Sequence, residues 1–326
     1  MACIPATAAA SWYSTTRPPA SPQVVQRVDD LRKVVNELDR PLGFVPTMGA
    51  LHDGHLSLVT AAGEACNSVV VSIFVNPTQF SETEDFSAYP RTLDGDLEAL
   101  ERNGVPVDVV WAPTVDDMYP HLGSVQESGR LPSLATRGGT LVRTEGVSDG
   151  LEAASRPHFF DGVCTVVTKL INAVSPDAMF LGQKDAQQCA VLRKMSRDLL
   201  LPLEVVVVPT VREPSGLALS SRNAYLTDDE RASAAAIYQA LEHTRAAHAA
   251  APDKLTPSAI REDVAARITA AGGELDYVAA SDPETLQDLD CNTPVERALV
   301  SVAVYWGESR TRLIDNMHFS AEQSTG

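Results

Sequence analysis

Between about residue 24 and residue 226, short β-branched runs alternate with segments whose apolar positions recur at helical spacing. LGFVPT (42–47), SVVVSIFV (68–75), VPVDVVW (105–111), DAMFLG (177–182) and EVVVVPTV (204–211) read as strands. Their nearly continuous apolarity is what a parallel sheet needs when both of its faces are covered. Between them, Leu56, Val59, Ala62 and Cys66 share one helical face, as do Val163, Val166, Val167, Leu170, Ile171 and Val174. Strand and helix in alternation predict a Rossmann-like α/β unit with a parallel sheet.

Residues 119–150 break the pattern: they are rich in Gly, Ser, Thr and Pro, lack periodicity, and read as a long loop or insertion. After Leu226 the character changes. Thr227 followed by Glu230 is a capping-box start, the Ala-rich run to about Ala250 reads as one helix, and a second helix follows Pro257. Two late strands, LDYVAAS (275–281) and RALVSVAVYW (297–306), complete a smaller α+β unit. The expected division is a disordered leader over 1–23, a catalytic α/β domain over 24–226 and a smaller C-terminal α+β lid domain over 227–326. The leader has no compact apolar stretch behind a basic start, so it does not read as a secretory signal.

Composition narrows the partners. Of 326 residues, 44% are hydrophobic and 21% charged, which excludes disorder along the whole length. A net charge of −17 would repel nucleic acid and anionic membranes, and no apolar run approaches membrane-spanning length. A small anion is still acceptable, because a few basic groups and a helix start can hold phosphate inside an acidic protein. The five cysteines are widely spaced with no C-x-x-C pair, which points to a reduced, cytoplasmic setting.

The chemistry is most legible in PTMGALHDGHLSLV (46–59), where a strand ends, a glycine-containing turn follows and two histidines open a helix. His52 and His55 are three apart, so they share a helical face and can converge on one object. Unpaired N–H groups at the helix start favour an anion, and Gly54 leaves room for a phosphate to approach the backbone. Imidazoles there can donate to charge developing on a phosphoryl group. A metal site or two surface histidines are the competing readings, although two histidines are too few for zinc. In GLALSSRN (216–223), Ser220 and Ser221 offer donors and Arg222 a planar fork for phosphate oxygens, unless the segment is an ordinary polar turn. In GQKD (182–185), at the carboxyl edge of a strand, Lys184 can neutralise a triphosphate, while Asp185 holds a ribose hydroxyl or caps the next helix.

Together these residues resemble a known set. HDGH is similar to the H-x-G-H signature of the nucleotidyltransferase α/β superfamily, and LSSRN looks like its K-M-S-K-S counterpart. FVPTMGALHDGH, VSIFVNPTQF, YPRTLDGD, GVCTVVTKL, FLGQKDAQQ and VREPSGLALSSRN are more specific: they resemble the pantothenate synthetases, the ligases that join pantoate to β-alanine. That resemblance runs from about Val24 to Phe319.

It implies that ATP lies across Pro46, Thr47, Met48, Gly49, His52, Gly54 and His55, with His55 catalytic and His52 assisting at the phosphates. Gly182, Gln183, Lys184 and Asp185, then Val211, then Leu219, Ser220, Ser221 and Arg222 match the other ATP-contacting segments; Lys184, both serines and Arg222 belong to the catalytic set. Gln79 and Gln188 match the pantoate-holding glutamines, with Met48, Asn76 and Arg156 beside them. The implied reaction passes through a pantoyl adenylate, with Mg2+ expected, and the implied assembly is a homodimer.

Several positions depart from the family text. RPHFFDG (156–162) places His158 where a glycine is usual and Phe159 where a phosphate-side histidine is expected; either His158 reaches in by a local shift or that contact is missing. Leu219 replaces a methionine of similar volume. Gly95 stands where an acid is frequent, which leaves Asp94 and Asp96 as candidate metal-side carboxylates, Asp96 the preferred one. Two other readings of the motifs are a nucleotidyltransferase that leaves the nucleotide on its product and a non-catalytic nucleotide-binding protein.

Overall fold

Strands that are apolar at consecutive positions feed two cores at once, and that arithmetic builds the first layer. The computed structural model describes residues 21–80, 86, 89–104, 106–120, 139–251 and 256–320. Within them, β1 (Gln23–Val25), β2 (Leu42–Thr47), β3 (Ser68–Ile73), β4 (Val109–Trp111), β5 (Ala178–Gly182) and β6 (Glu204–Val208) form one sheet in the order β1-β4-β3-β2-β5-β6. Every pairing in it is parallel. Phe44 and Val70 pack to one side with Val163, Val167, Leu170 and Leu192. Val45, Val69 and Val71 pack to the other with Leu58, Val59, Ala62 and Leu100. Helices Phe159–Val174 and Ala186–Asp198 thus cover one face, and Asp53–Ala65 and Leu93–Asn103 the other.

Beyond the sheet, the capping box at Thr227 is present: its Oγ1 accepts from Glu230 N at 3.3 Å, and Glu230 Oε2 accepts from Thr227 N at 2.9 Å. The Ala-rich run is two helices rather than one, Asp228–Ala234 and Ala236–Ala250. Pro257 opens the helix Pro257–Ala270. Strands β7 (Glu274–Ser281), β8 (Arg297–Trp306) and β9 (Thr311–Ser320) make a separate antiparallel sheet. Its apolar side packs on Ile237, Leu241, Ile260, Val264 and Ile268.

Several expectations are corrected. The strands expected over 105–111 and 204–211 are shorter, at Val109–Trp111 and Glu204–Val208, because ladder pairing ends there. Strand β1 begins at Gln23, inside the expected leader, whose residues 1–20 lie outside the described residues. Strand β9 was not expected at all. Residues 121–138 of the long loop also lie outside the described residues, but its end is packed: the Gln187 amide donates to the carbonyls of Val147, Asp149 and Gly150 at 3.1–3.4 Å. No helix among the described residues is long and apolar enough to cross a membrane.

Candidate active site

The chain runs from β2 outward through β3 to β4, then returns to lay β5 and β6 on the other side of β2. The carboxyl ends of β2 and β5 therefore flank a topological switch point, where open parallel sheets place their ligands. The HDGH turn follows β2 and the GQKD turn follows β5, so the sheet itself brings the two motifs side by side. A cleft of ≈ 250 Å³ opens there.

The turn after β2 is pinned from beneath. Thr47 Oγ1 donates to Ser72 O at 2.7 Å and accepts from Gly49 N at 3.2 Å. Asp96, 2% exposed, accepts from Ala50 N at 3.2 Å and Leu51 N at 2.7 Å through its two carboxylate oxygens. Its oxygens anchor the loop, and burial, opposed by those two bonds, raises its pKa. Asp94 is exposed.

The two histidines form a reciprocal cap. His52 Nδ1 accepts from Gly54 N at 3.1 Å, and His55 Nδ1 accepts from His52 N at 3.4 Å. Their ring centroids lie 4.1 Å apart. Burial, then the neighbouring His52 ring, pushes the pKa of His55 down to about 3; burial and the Lys184 ammonium push His52 down as well. Both rings are thus neutral at pH 7. With Nδ1 accepting, the proton sits on Nε2, which is left as the donor of each ring. Gly54 has a second reason for being glycine: a Cβ there would meet His52 Cε1 and Nδ1 at 2.9 Å. The helix start is therefore less open to an anion than its unpaired N–H groups alone imply, because an imidazole already occupies one of them.

On the far wall, Asn76 is buried and saturated. Its Oδ1 accepts from Tyr119 Oη at 2.9 Å and from Thr78 Oγ1 at 3.0 Å, while its Nδ2 donates to Gln79 Oε1 at 3.1 Å and Gly162 O at 3.3 Å. The bond to Gln79 Oε1 holds that side chain in place. Gln79 Nε2 donates to Met48 Sδ at 2.7 Å, a weak acceptor that an oxygen ligand readily displaces. Arg156 donates to Gln79 O at 3.2 Å and stacks on the Phe159 ring at 3.7 Å.

The third wall comes from residues 209–222. Arg212 and Ala218 form an isolated bridge, and Leu219 N donates to Val211 O at 3.0 Å, so the segment folds back as a hairpin. Asn223 Nδ2 ties its end to Ala218 O and Glu213 Oε1, both at 3.1 Å. Ser220 Oγ accepts from Arg222 N at 3.2 Å, and Tyr89 hydrogen-bonds Ser221.

Of the expected residues, Pro46, Thr47, Met48, His52, Gly54, His55, Asn76, Gln79 and Arg156 line the cleft. So do Gly182, Lys184, Asp185, Gln188, Val211, Leu219, Ser220, Ser221 and Arg222. Three do not. Gly49 is spent inside the turn, and Asp96 lies beneath it. Gln183 points away, its Nε2 donating to Asn316 Oδ1 at 2.8 Å and lying 3.2 Å from His318 Nε2. Asp185 sits at the start of the following helix without a side-chain cap bond, so capping does not explain it. His158 is 80% exposed and faces Asp161, whereas Phe159 lines the cleft; the ungapped reading of RPHFFDG holds. Tyr89 and the apolar wall of Val163, Val166, Val167 and Leu170 were not expected in the cleft. That helical stripe read only as core. A smaller cavity of ≈ 120 Å³ adjoins the cleft and shares Arg156, Phe159, Lys184, Gln188, Ser220 and Arg222 with it.

The chain is similar to known proteins over nearly its whole length. The family model described as pantoate-beta-alanine ligase matches residues 23–318. A pantothenate synthetase of Chloroflexus aggregans is 45% identical over 296 residues, covering 90% of this chain and 98% of its own. One from Acidobacterium capsulatum is 48% identical over 284 residues, 85% of this chain and 86% of its own. Among solved structures, the pantothenate synthetase of Thermus thermophilus superposes with a TM-score of 0.78 at 40% identity, over 90% of this chain and 98% of that one. The pantoate-beta-alanine ligase of Francisella tularensis, complexed with beta-gamma ATP and beta-alanine, superposes with a TM-score of 0.70 at 32% identity, over 91% and 97%.

Proposed function

The chain belongs to the pantoate–β-alanine ligase family, and from that premise we propose how its cleft carries the reaction. It is an ATP-dependent ligase that condenses pantoate with β-alanine. The observation that carries the residue assignment is the convergence of the β2 turn, the β5 turn, the 219–222 segment, Gln79 and Gln188 on one cleft at the switch point.

In the first step, a pantoate carboxylate oxygen attacks the α-phosphorus of ATP. The bond from that phosphorus to the bridging oxygen breaks, and pyrophosphate leaves with the electron pair. A mixed anhydride, pantoyl adenylate, results. The neutral His55 and His52 donate from Nε2 to the phosphoryl oxygens as negative charge develops, and Lys184, Ser220, Ser221 and Arg222 stabilise the departing pyrophosphate. Gln79 and Gln188 hold the pantoate oxygens, and the apolar wall from Val163 to Leu170 receives its dimethyl carbon. In the second step the free amine of β-alanine attacks the acyl carbon, AMP leaves with the electron pair, and the nitrogen sheds a proton to solvent. The anhydride is lost if water reaches it, which gives residues 227–326 their task as a lid over the 24–226 catalytic domain.

Magnesium finds no cage here: among the described residues no three His, Cys, Asp or Glu side chains come together, and Asp96 is committed to backbone. We therefore assign it to the substrate, carried on the triphosphate oxygens. A cytoplasmic location and a homodimeric state complete the proposal. Incubation with ATP, magnesium, pantoate and β-alanine is expected to release AMP and pyrophosphate in equal amounts. A product that keeps its nucleotide, or turnover that ignores pantoate, would overturn it.

A further inference from the structure

Strand β9 has two working faces. Leu313, Met317 and Phe319 pack into the helical core, while Arg312, Asn316 and His318 face the α/β unit. Asn316 is 4% exposed, and both polar atoms of its side chain are engaged with one turn. Its Nδ2 donates to Gln183 O and to Lys184 O, each at 2.9 Å, and its Oδ1 accepts from Gln183 Nε2 at 2.8 Å. The two carbonyl bonds fix the backbone of the turn Gln183–Asp185, which carries Lys184 into the cleft, and the third holds the Gln183 side chain away from it. Neighbouring residues grip other walls of the same site. Asp315 takes Arg212 through two bonds of 2.6 and 2.9 Å, and Arg312 takes Glu152 through two of 2.7 and 2.8 Å.

We propose that Asn316 is a positioning residue for the nucleotide-transfer step, acting through Lys184: by fixing the turn's carbonyls it aims the ammonium at the phosphates. The inference rests on the ligase reading above. Donating to two carbonyls while accepting from an amide is something only a carboxamide does. A carboxylate would face both carbonyl dipoles, and an apolar residue would leave two buried acceptors unpaired. One consequence is that Lys184 is correctly placed only when the C-terminal sheet is docked.

A double-mutant cycle tests this. Pantoate-dependent ATP–pyrophosphate exchange is measured for the wild type, Asn316→Ala, Lys184→Ala and the double variant, with melting temperatures alongside. Asn316→Ala is expected to lower kcat by on the order of 10- to 100-fold, with the pantoate KM held within about twofold. In the Lys184→Ala background the same substitution should cost less than about twofold, because the group it acts through is gone. An equal loss in both backgrounds, which a merely structural role produces, would overturn the proposal, as would an unchanged kcat. If Asn316→Ala fails to fold, the nearly isosteric Asn316→Asp carries the same cycle. Read on ATP affinity by calorimetry, the cycle also tests the coupling without turnover, so a wild type inactive in exchange would count against the ligase reading alone.

Discussion

Gly162 offers a sharp test of how the pantoate side of the cleft is built. It lies in the first half of the helix Phe159–Val174, and its carbonyl accepts from Asn76 Nδ2. A Cβ added there would stand 2.4 Å from Thr78 O, 2.7 Å from Thr78 C and 3.0 Å from Gln79 N. All three are backbone atoms, so none can swing aside. Ordinary contact needs about 3.5 Å, so in Gly162→Ala the turn Pro77–Gln79 has to retreat by about 1 Å.

Overpacking of that kind costs about 1–3 kcal/mol, partly offset by about 1 kcal/mol of better helix propensity for alanine. The protein should therefore fold, with a melting temperature lowered by a few degrees. The kinetic effect should be larger and one-sided, because the displaced turn carries Gln79. A misplacement of about 1 Å can cost on the order of a hundredfold, so kcat/KM for pantoate should fall by about 10- to 100-fold while the ATP KM stays within about twofold. Steady-state kinetics with each substrate varied in turn, together with calorimetric pantoate binding, read this directly. A folded Gly162→Ala enzyme with pantoate and ATP constants shifted equally, or with neither shifted, would refute the assignment of this wall to pantoate.

Three further outcomes are expected. His55→Ala should slow adenylate formation by on the order of a hundredfold, as for loss of a transition-state donor, with the fold intact and stability lowered by about 1–2 kcal/mol for the lost half of the cap; a first-step rate close to wild type would remove His55 from its role. Asp96→Ala strips Ala50 N and Leu51 N of their partner, so stability should drop by about 1–3 kcal/mol and the ATP KM should rise. If instead the magnesium requirement changed with stability intact, Asp96 would be a metal-side group after all. Because His55 stays neutral in the folded state down to about pH 3, the unfolded chain takes up its proton first as pH falls below about 6.5. Stability should then decline through that window by up to about 1.4 kcal/mol per pH unit for this one group, and His55→Gln should flatten the decline in urea midpoints between pH 7 and 5. An equal slope in both proteins would contradict the burial argument.

What could be read from the chain follows from how locally each feature is encoded. LGFVPT is β2 residue for residue because a doubly covered parallel strand writes its burial into consecutive positions. The HDGH helix start was legible for the same reason, since its cap is completed within four residues. Gly54, however, serves the His52 ring as much as any phosphate, and neither motif nor spacing reveals which neighbour a missing Cβ makes room for. Strand β9 was illegible because Asp315 interrupts the apolar row of TRLIDNMHFS, and the groups that bury Arg312 and Asn316, Glu152 and the Gln183–Lys184 carbonyls, lie more than a hundred residues away in sequence. In a strand exposed on one side such residues would face water; here they meet buried carbonyls and a carboxylate, and the pattern of hydropathy is the same in both cases. Gln183 likewise stands beside Lys184 in sequence but spends its amide on Asn316, in the other sheet. Motifs thus write the reacting groups at the ends of strands, while the bonds that aim those groups are long-range and appear only once the two sheets meet.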